Sequence, residues 1–343
     1  FKPKDTVRPT FSLFGDAFSG APGRNYNVAS TEILTHFIEK SPEGASEHRF
    51  VDAGENPPNG LIVTYALKEK PAEPLKLAFL DKDGKEIVSF ESKPEGEESK
   101  SKEKNSEVKK DESQEEEKLY APANPGMNRF IWNMRYANGV DLKEKLAKSG
   151  PLIESKNIGP YTIPGTYQVQ LTLGDHSQTQ SFNVFQDPRT TTSADHFNAQ
   201  LELLLAIRDK RTEVNEAITR IRDLKTQIEG WLKRVEAEEV QASGKALQQK
   251  LCEIEETLIY PGLKSFTQYF NHGSRLGAKL AELVPVVASA DFEPTQGAKE
   301  VFAHLTALID EQLSKLNQVL DEDVVAFNEA IQAGGSGALV GKV

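Results

Sequence analysis

The chain has 343 residues, of which 38% are hydrophobic and 27% charged, and its mean hydropathy is −0.50. That length predicts roughly two domains with separate cores. Its 41 basic and 52 acidic residues give a net charge of −11, which disfavours general nucleic-acid binding because that function needs a basic surface. No stretch approaches the ~18–20 consecutive apolar residues of a membrane-spanning helix, and a single cysteine excludes an internal disulfide.

The first 58 residues are rich in Gly, Pro, Asn and Ser and show little sustained periodicity. We interpret 1–58 as a lead-in segment that docks on a neighbouring domain, with one short helix or strand at Thr31–Lys40. The sequence begins at Phe1 and has no basic-then-apolar signal segment. We therefore expect it to be an excerpt or a processed product of a longer chain.

Apolar and polar side chains alternate in several short segments between residues 59 and 189. The first such segment carries Leu61, Val63, Tyr65 and Leu67 on one face, and similar segments cover 75–90, 130–136, 167–173 and 182–184. The turn residues of 81–84 indicate a β-hairpin. Short strands joined by turns, without intervening helices, predict an antiparallel Ig/fibronectin-like β-sandwich.

Two excursions interrupt this predicted sandwich. The segment 91–118 contains 11 acidic and 7 basic residues among 28, and Val108 is its one apolar side chain. Because such a segment cannot form a core, we predict a disordered charged insert, with an electrostatic tether for a partner as the alternative. The second excursion, Asn138–Ile163, is less polar and is predicted to hold one helical turn around Leu142–Ala147.

From residue 190 to 333 the periodicity becomes helical. A seven-residue repeat of apolar side chains predicts a first helix about 40 residues long: Ile207, Val214, Ile221, Ile228 and Val235. Apolar stripes predict four more helices, at Leu247–Leu258, Leu276–Val287, Phe302–Leu320 and around Val324–Ile331. We expect Pro285 to kink or end the second of these and Pro294-Thr295 to precede the third. Asp321 or Asp323 is predicted to cap the last helix. Short connections favour an antiparallel helical bundle, followed by a frayed tail at 334–343. The fold class is therefore α+β, multidomain.

The sequence contains no recognisable catalytic or metal-binding motif. The six histidines show no zinc-type spacing, Cys252 has no histidine nearby in sequence, and neither a nucleophile elbow nor a phosphate loop is present. We assign no catalytic residue, metal or cofactor. Three acidic clusters, at 236–239, 253–256 and 321–323, are interpreted as solvated helix surface, because a glycosidase needs two carboxyl groups facing each other across a cleft.

Three aromatic residues are the candidates for ligand binding, since aromatic rings stack on sugars. Trp132 lies on an apolar strand face together with Tyr65, Tyr136 and Tyr167, so core packing is its alternative role. Tyr120 and Tyr161 flank the two excursions and are the better candidates for exposed rings.

Several phrases together resemble one protein family: Phe1-Lys-Pro-Lys-Asp-Thr, Val51-Asp-Ala-Gly-Glu-Asn-Pro-Pro-Asn-Gly, Asn128-Arg-Phe-Ile-Trp-Asn-Met-Arg-Tyr, Pro164-Gly-Thr-Tyr-Gln-Val-Gln-Leu-Thr and Gln186-Asp-Pro-Arg. Nearly the whole chain is similar to the C-terminal region of bacterial BNR-repeat proteins. These are labelled glycosyl hydrolase or sialidase-like and carry sortilin (Vps10)-type β-propellers. The strands alone also resemble, more weakly, the Ig-like folds of flagellar-hook capping proteins.

The resemblance implies a role without catalysis. No BNR motif (Ser-x-Asp-x-Gly-x-Thr-Trp) occurs in the chain, so the propeller and any active site belong upstream of Phe1. The resemblance then implies an exported, extracytoplasmic accessory module that docks or stabilises the propeller or contacts another protein. The alternatives are a carbohydrate-binding accessory domain, and a part of an active glycoside hydrolase whose catalytic residues lie upstream.

Overall fold

The chain divides into two compact units, Phe1–Ala137 with Tyr161–Ala194, and Asn138–Pro160 with Asp195–Val343. The computed structural model describes residues 1, 3–8, 60–94, 119–142, 156–261 and 272–333, together with the backbone of three strands between 23 and 50. The first unit contains the β-strands and the second contains almost all of the helical residues. The α+β class predicted from the sequence is confirmed.

The β unit contains ten strands in its described residues. They are β1 (Thr6–Val7), β2 (Gly23–Ala29), β3 (Glu32–Lys40), β4 (Ser46–Phe50), β5 (Leu61–Leu67), β6 (Leu75–Leu80), β7 (Glu86–Glu91), β8 (Gly126–Trp132), β9 (Gly165–Leu173) and β10 (His176–Phe185). One sheet has the order β1-β10-β9-β6-β7, a second pairs β5 with β8, and a third has the order β2-β3-β4. All pairs are antiparallel except β1 with β10, which is parallel.

Side chains from the five-stranded sheet and from the β5–β8 pair share one hydrophobic core. Leu61, Val63 and Tyr65 alternate inward along β5, as the period of two requires. The ring of Phe79 on β6 stacks on Trp132 of β8, with their centroids 4.2 Å apart. The stacked pair therefore joins strands of two different sheets in one core.

The lead-in segment 1–58 has more regular structure than its sequence indicated. The alternative of helix or strand at Thr31–Lys40 is decided in favour of strand, because β3 occupies Glu32–Lys40. This strand pairs with β2 on one side and with β4 on the other. Periodicity did not reveal β2 and β4, which lie in the Gly-, Asn- and Ser-rich part of the chain.

The helical unit is built from five α-helices in the described residues. They are α1 (Ala194–Leu232), α2 (Glu238–Leu258), α3 (Leu276–Val287), α4 (Gln296–Gln318) and α5 (Val324–Ala333), with a π-helical turn at Val319–Asp323 between the last two. Ile207, Val214, Ile221 and Ile228 of the heptad repeat are buried in one core with side chains of the other helices. The long first helix predicted from that repeat is confirmed.

The observed ends of the helices can be compared with three predictions made from the sequence. Thr295 caps α4, because its side chain accepts a hydrogen bond from the backbone N–H of Ala298 at 3.2 Å. Pro285 does not end α3, which continues to Val287. The predicted cap at Asp321 or Asp323 is wrong, because the chain passes from α4 to α5 through the π-helical turn without leaving helical conformation.

The excursion after β8 contacts α1. Asn157 is 1% exposed, and its side-chain amide donates to the carbonyl of Arg208 and to the hydroxyl of Thr212. The N–H of Val140 donates to that same hydroxyl at 3.1 Å. Residues 138–160 thus belong to the helical unit, whereas the sequence had placed them within the 59–189 domain. The predicted helical turn lies mostly outside the described residues, as do positions 95–118 of the charged insert and the tail 334–343.

Candidate functional site

Trp132 is a core residue in the structure. Its side chain is 0% exposed, and besides the stack on Phe79 it makes an edge-to-face contact with Phe182 at 6.2 Å between centroids. The indole N–H donates to the backbone carbonyl of Arg135 at 3.1 Å, so the one polar group of the ring is satisfied. Of its two proposed roles, core packing therefore describes Trp132, which presents no surface on which a sugar could stack.

The chain makes a sharp local turn directly after Trp132. Met134 is buried and has a φ of 57°, the one left-handed residue other than glycine in the described chain. Two hydrogen bonds hold this turn: Asn133 Oδ1 accepts from the N–H of Arg135, and the Met134 carbonyl accepts from the N–H of Thr162 at 2.7 Å. A left-handed conformation costs energy that these contacts offset, and it places Arg135 beside the returning chain.

Arg135 and Tyr161 form the polar part of this site. Their backbones pair as an isolated antiparallel bridge, and the Arg135 guanidinium carbon lies 3.6 Å from the centroid of the Tyr161 ring. This distance is within the range of a cation–π interaction. Tyr161 is half-buried, and the guanidinium occupies one of its two ring faces. A ligand that stacks on Tyr161 must therefore use the other face or displace the guanidinium.

A buried polar cluster forms around Thr162, the residue that follows Tyr161. Arg8 is 9% exposed, and its Nε donates to the carbonyl of Thr162 at 2.9 Å. Thr162 is fully buried, and its hydroxyl has no hydrogen-bond partner among the described residues. This cluster ties the first residues of the chain to the segment that carries Tyr161, and it joins positions 154 residues apart in sequence.

The structure brings together two of the three predicted ligand-binding residues. Trp132 and Tyr161 are both linked to Arg135, one by a hydrogen bond and the other by ring contact. Tyr120 is half-buried and lies beside the end of β7, where the N–H of the following Ala121 donates to the carbonyl of Glu91. Sequence reasoning missed Arg135 as a site residue, although it stands in the quoted phrase from Asn128 to Tyr136.

The clear pKa shifts of the described carboxyl groups are caused by ion pairs. The carboxyl pKa values that shift clearly in the described chain, those of Glu86, Asp187 and Glu293, are all lowered, each by a hydrogen bond to a lysine or arginine side chain. Arg189 lowers the pKa of Asp187 to about 2. A catalytic general acid needs the opposite shift, a pKa raised towards neutrality. The described histidines, cysteine and carboxylates also contain no group of three or more that could hold a metal ion.

One acidic residue departs from the solvated helix surface that we had assigned to the clusters. Glu255 is 2% exposed, and its carboxylate accepts from Arg222 at 2.7 Å and from Lys225 at 3.0 Å. Both cations come from α1, so the three charges link α1 to α2. Its neighbours Glu253 and Glu256 are exposed, as predicted.

The helices of the described residues are all too short or too polar to cross a membrane. No protein-family model, curated protein or solved structure matches this chain.

Proposed function

We propose that this chain is a non-catalytic accessory module of an exported, BNR-propeller protein of the glycosyl hydrolase-like type, and that its β unit docks and stabilises the upstream propeller. The sequence phrases support the family, and the family supports an extracytoplasmic location. The α+β architecture is compatible with an Ig-like sandwich followed by an antiparallel bundle, and we propose these two finer folds as well. The shared core of the five-stranded sheet and the β5–β8 pair supports the sandwich.

The observation that carries the proposal is the way Phe1 and residues 3–8 are anchored. Phe1 packs against the core of the β unit, and Thr6–Val7 pair in parallel with β10. Asp5 accepts from the N–H of Asn183, and the N–H of Arg8 donates to the carbonyl of Phe185 at 2.9 Å. A domain that precedes Phe1 would therefore be tethered closely to this sheet.

An exposed apolar pair lies beside this anchor. Val7 and Phe185 are register partners in β1 and β10, so their side chains lie on the same face of the sheet. Their exposed fractions are 50% and 49%. Large apolar side chains exposed side by side are typical of contact surfaces, and these two are adjacent to the segment that leads upstream. We infer that this pair contacts the propeller.

The test is the thermal stability of the propeller in the parent protein. Phe185→Ser should lower the melting temperature of the propeller, because a half-exposed ring that becomes buried at a contact contributes apolar area. Met127→Ser is the matched control, since Met127 is a 72% exposed apolar residue of the same unit. Equal melting temperatures in wild type and Phe185→Ser would contradict the proposed contact.

The catalytic alternative predicts a different result. If this chain were itself a glycoside hydrolase, the purified chain would cleave aryl glycosides, and substitution of one described carboxylate would abolish the cleavage. The accessory role predicts no cleavage by the isolated chain. Activity that survives purification and disappears with one carboxylate variant would overturn the non-catalytic proposal.

The glycan-binding alternative rests on Tyr161, whose half-buried ring has the Arg135 guanidinium over one face. It predicts saturable binding on a glycan array that is lost in Tyr161→Ala, with the circular dichroism spectrum unchanged. Trp132→Ala is unsuitable as a test, because removal of this fully buried ring would disrupt the core.

A further inference from the structure

The two edges of the five-stranded sheet are covered differently. At one edge, the outer side of β7 accepts two main-chain hydrogen bonds from other parts of the unit. The N–H of Ala121 donates to the carbonyl of Glu91 at 2.9 Å, and the N–H of Ala137 donates to the carbonyl of Ile87 at 3.3 Å. At the other edge, β1 pairs with only the last two residues of β10. Most of β10 is therefore an open edge within the described residues.

The contacts of β1 show which main-chain groups of β10 point away from β9. The N–H of Asn183 donates to the Asp5 carboxylate at 2.8 Å. The carbonyl of Phe185 accepts from the N–H of Arg8 at 2.9 Å. Because every second residue of a strand directs its N–H and C=O to the same edge, three more residues of β10 point outward: Ser177, Thr179 and Ser181. Their outward N–H and C=O groups have no hydrogen-bond partner in the part of the chain that the structure describes.

This open edge, residues 177–181, lacks the features by which proteins usually keep sheet edges apart. Its sequence, Ser-Gln-Thr-Gln-Ser, contains no charged residue and no proline. The nine register pairs of β10 with β9, from His176 to Val184, run without a bulge. Four of the five residues are exposed. A regular, uncharged and exposed edge of this kind is a template for one further strand.

The open edge is complementary to a second copy of itself. When two β10 strands lie antiparallel with Thr179 opposite Thr179, Ser177 of each copy is opposite Ser181 of the other. Each opposed pair exchanges two main-chain hydrogen bonds, so the three pairs form six bonds and satisfy every outward group of both edges. The contact is closed by a two-fold axis and brings no charged side chains of the edge together. Threonine opposite threonine is also a favourable cross-strand pair.

The length of the open edge suits this pairing better than it suits a longer foreign strand. On one side the edge ends where Asp5 occupies the N–H of Asn183 and β1 begins to pair. On the other side it ends at the two-residue turn Gly174-Asp175 between β9 and β10. The six bonds of the symmetric pair all lie between these limits. A longer strand would have to displace Asp5 and β1.

We propose that β10 is a dimerisation edge, at which two copies of this chain join their five-stranded sheets into one continuous sheet. The contact is short, which places it among weak interfaces with a Kd of about 0.1–1 mM. It does not rest on the proposed propeller contact, because Val7 and Phe185 lie outside residues 177–181.

The test is sedimentation velocity of the full chain between about 10 µM and about 1 mM, together with amide NMR over the same range. The chain should change from monomer to dimer as its concentration rises. The amide signals of Ser177, Thr179 and Ser181 should shift with concentration, because their N–H groups gain partners. The amide signals of β7, at the covered edge, should not shift.

Substitutions of the central residue separate this edge from other surfaces. Thr179→Pro removes both central N–H donors of the dimer but no main-chain bond to β9, since that N–H points outward. At the usual net value of a hydrogen bond, the Kd should rise about 30-fold. Thr179→Lys places two like charges opposite each other and should raise the Kd about 5-fold or more. Thr64→Lys is its matched control, because Thr64 is an exposed strand threonine of the β5–β8 pair, and the Kd should be unchanged.

Circular dichroism and the melting temperature of each variant verify that the monomer is folded. Three results would overturn the proposal. The first is a chain that stays monomeric up to about 1 mM. The second is a dimer with the same Kd in wild type and in Thr179→Lys. The third is a dimer whose concentration-dependent shifts lie in β7 or in the helical unit instead of in β10.

Discussion

The buried heptad positions of α1 provide a quantitative test of the helical core. Ile221 is 0% exposed and lies in the core of the helical unit. Ile221→Ala removes three carbon atoms, and at about 0.8 kcal/mol each the lost burial alone costs about 2.4 kcal/mol. The cavity that remains raises the expected cost to about 2–5 kcal/mol. Glu229→Ala, two turns further along α1 at an exposed position, should stay within about 0.5 kcal/mol.

The assay is urea unfolding followed by tryptophan fluorescence. The chain has two tryptophans, Trp132 in the core of the β unit and Trp231 against the core of the helical unit. In a Trp132→Phe background, Ile221→Ala should lower the midpoint reported by Trp231 with an unchanged slope. In a Trp231→Phe background, the midpoint reported by Trp132 should not change. Similar losses for Ile221→Ala and Glu229→Ala would refute the heptad assignment.

Three further predictions concern single contacts, each measured by chemical or thermal unfolding. Glu255→Ala should cost about 3–5 kcal/mol because it leaves two partly buried cations without their carboxylate, whereas the exposed Glu256→Ala should be nearly neutral. Gly139→Ala should destabilise the helical unit, since a Cβ there would lie 2.5 Å from the hydroxyl oxygen of Thr212. Gly230→Ala is its control: no atom lies within 4 Å of a Cβ at that position, so the change should stabilise α1 by up to about 1 kcal/mol. Arg189 lowers the pKa of Asp187 to about 2, so this ion pair stabilises the fold above about pH 4 and is lost as the pH falls towards 2. Asp187→Asn should therefore be less stable than wild type at neutral pH, and the two stabilities should converge in acid.

Local patterning predicted the regular elements that bury a periodic face. β5 and β6 were visible because alternate residues enter the core, and α1 was visible because every seventh position is apolar. The strands β2 and β4 carry no such signal in sequence. The π-helical turn was also missed. With a regular helical period, the apolar stripe of α4 continues to Leu320, whereas Val319 is the buried residue.

The candidate sites depend on contacts that sequence spacing does not record. Arg135 and Tyr161 meet because of the left-handed turn at Met134 and a return of the chain 26 positions later. A signal for Glu255 did exist: it stands four residues after Leu251 and three before Leu258, on the buried stripe of α2. Because Glu253 and Glu256 are also acidic, all three glutamates of the cluster were interpreted as solvated surface.

The proposed docking of an upstream propeller is tested most directly by hydrogen–deuterium exchange of this chain, measured alone and within its parent protein. The account predicts slower exchange in the parent, concentrated in β1 and in β10 near Phe185, because that exposed apolar pair becomes covered. Exchange of α4 should be the same in both. Identical exchange of β1 and β10 in the two proteins, or slower exchange confined to the helical unit, would contradict the role assigned to the β unit.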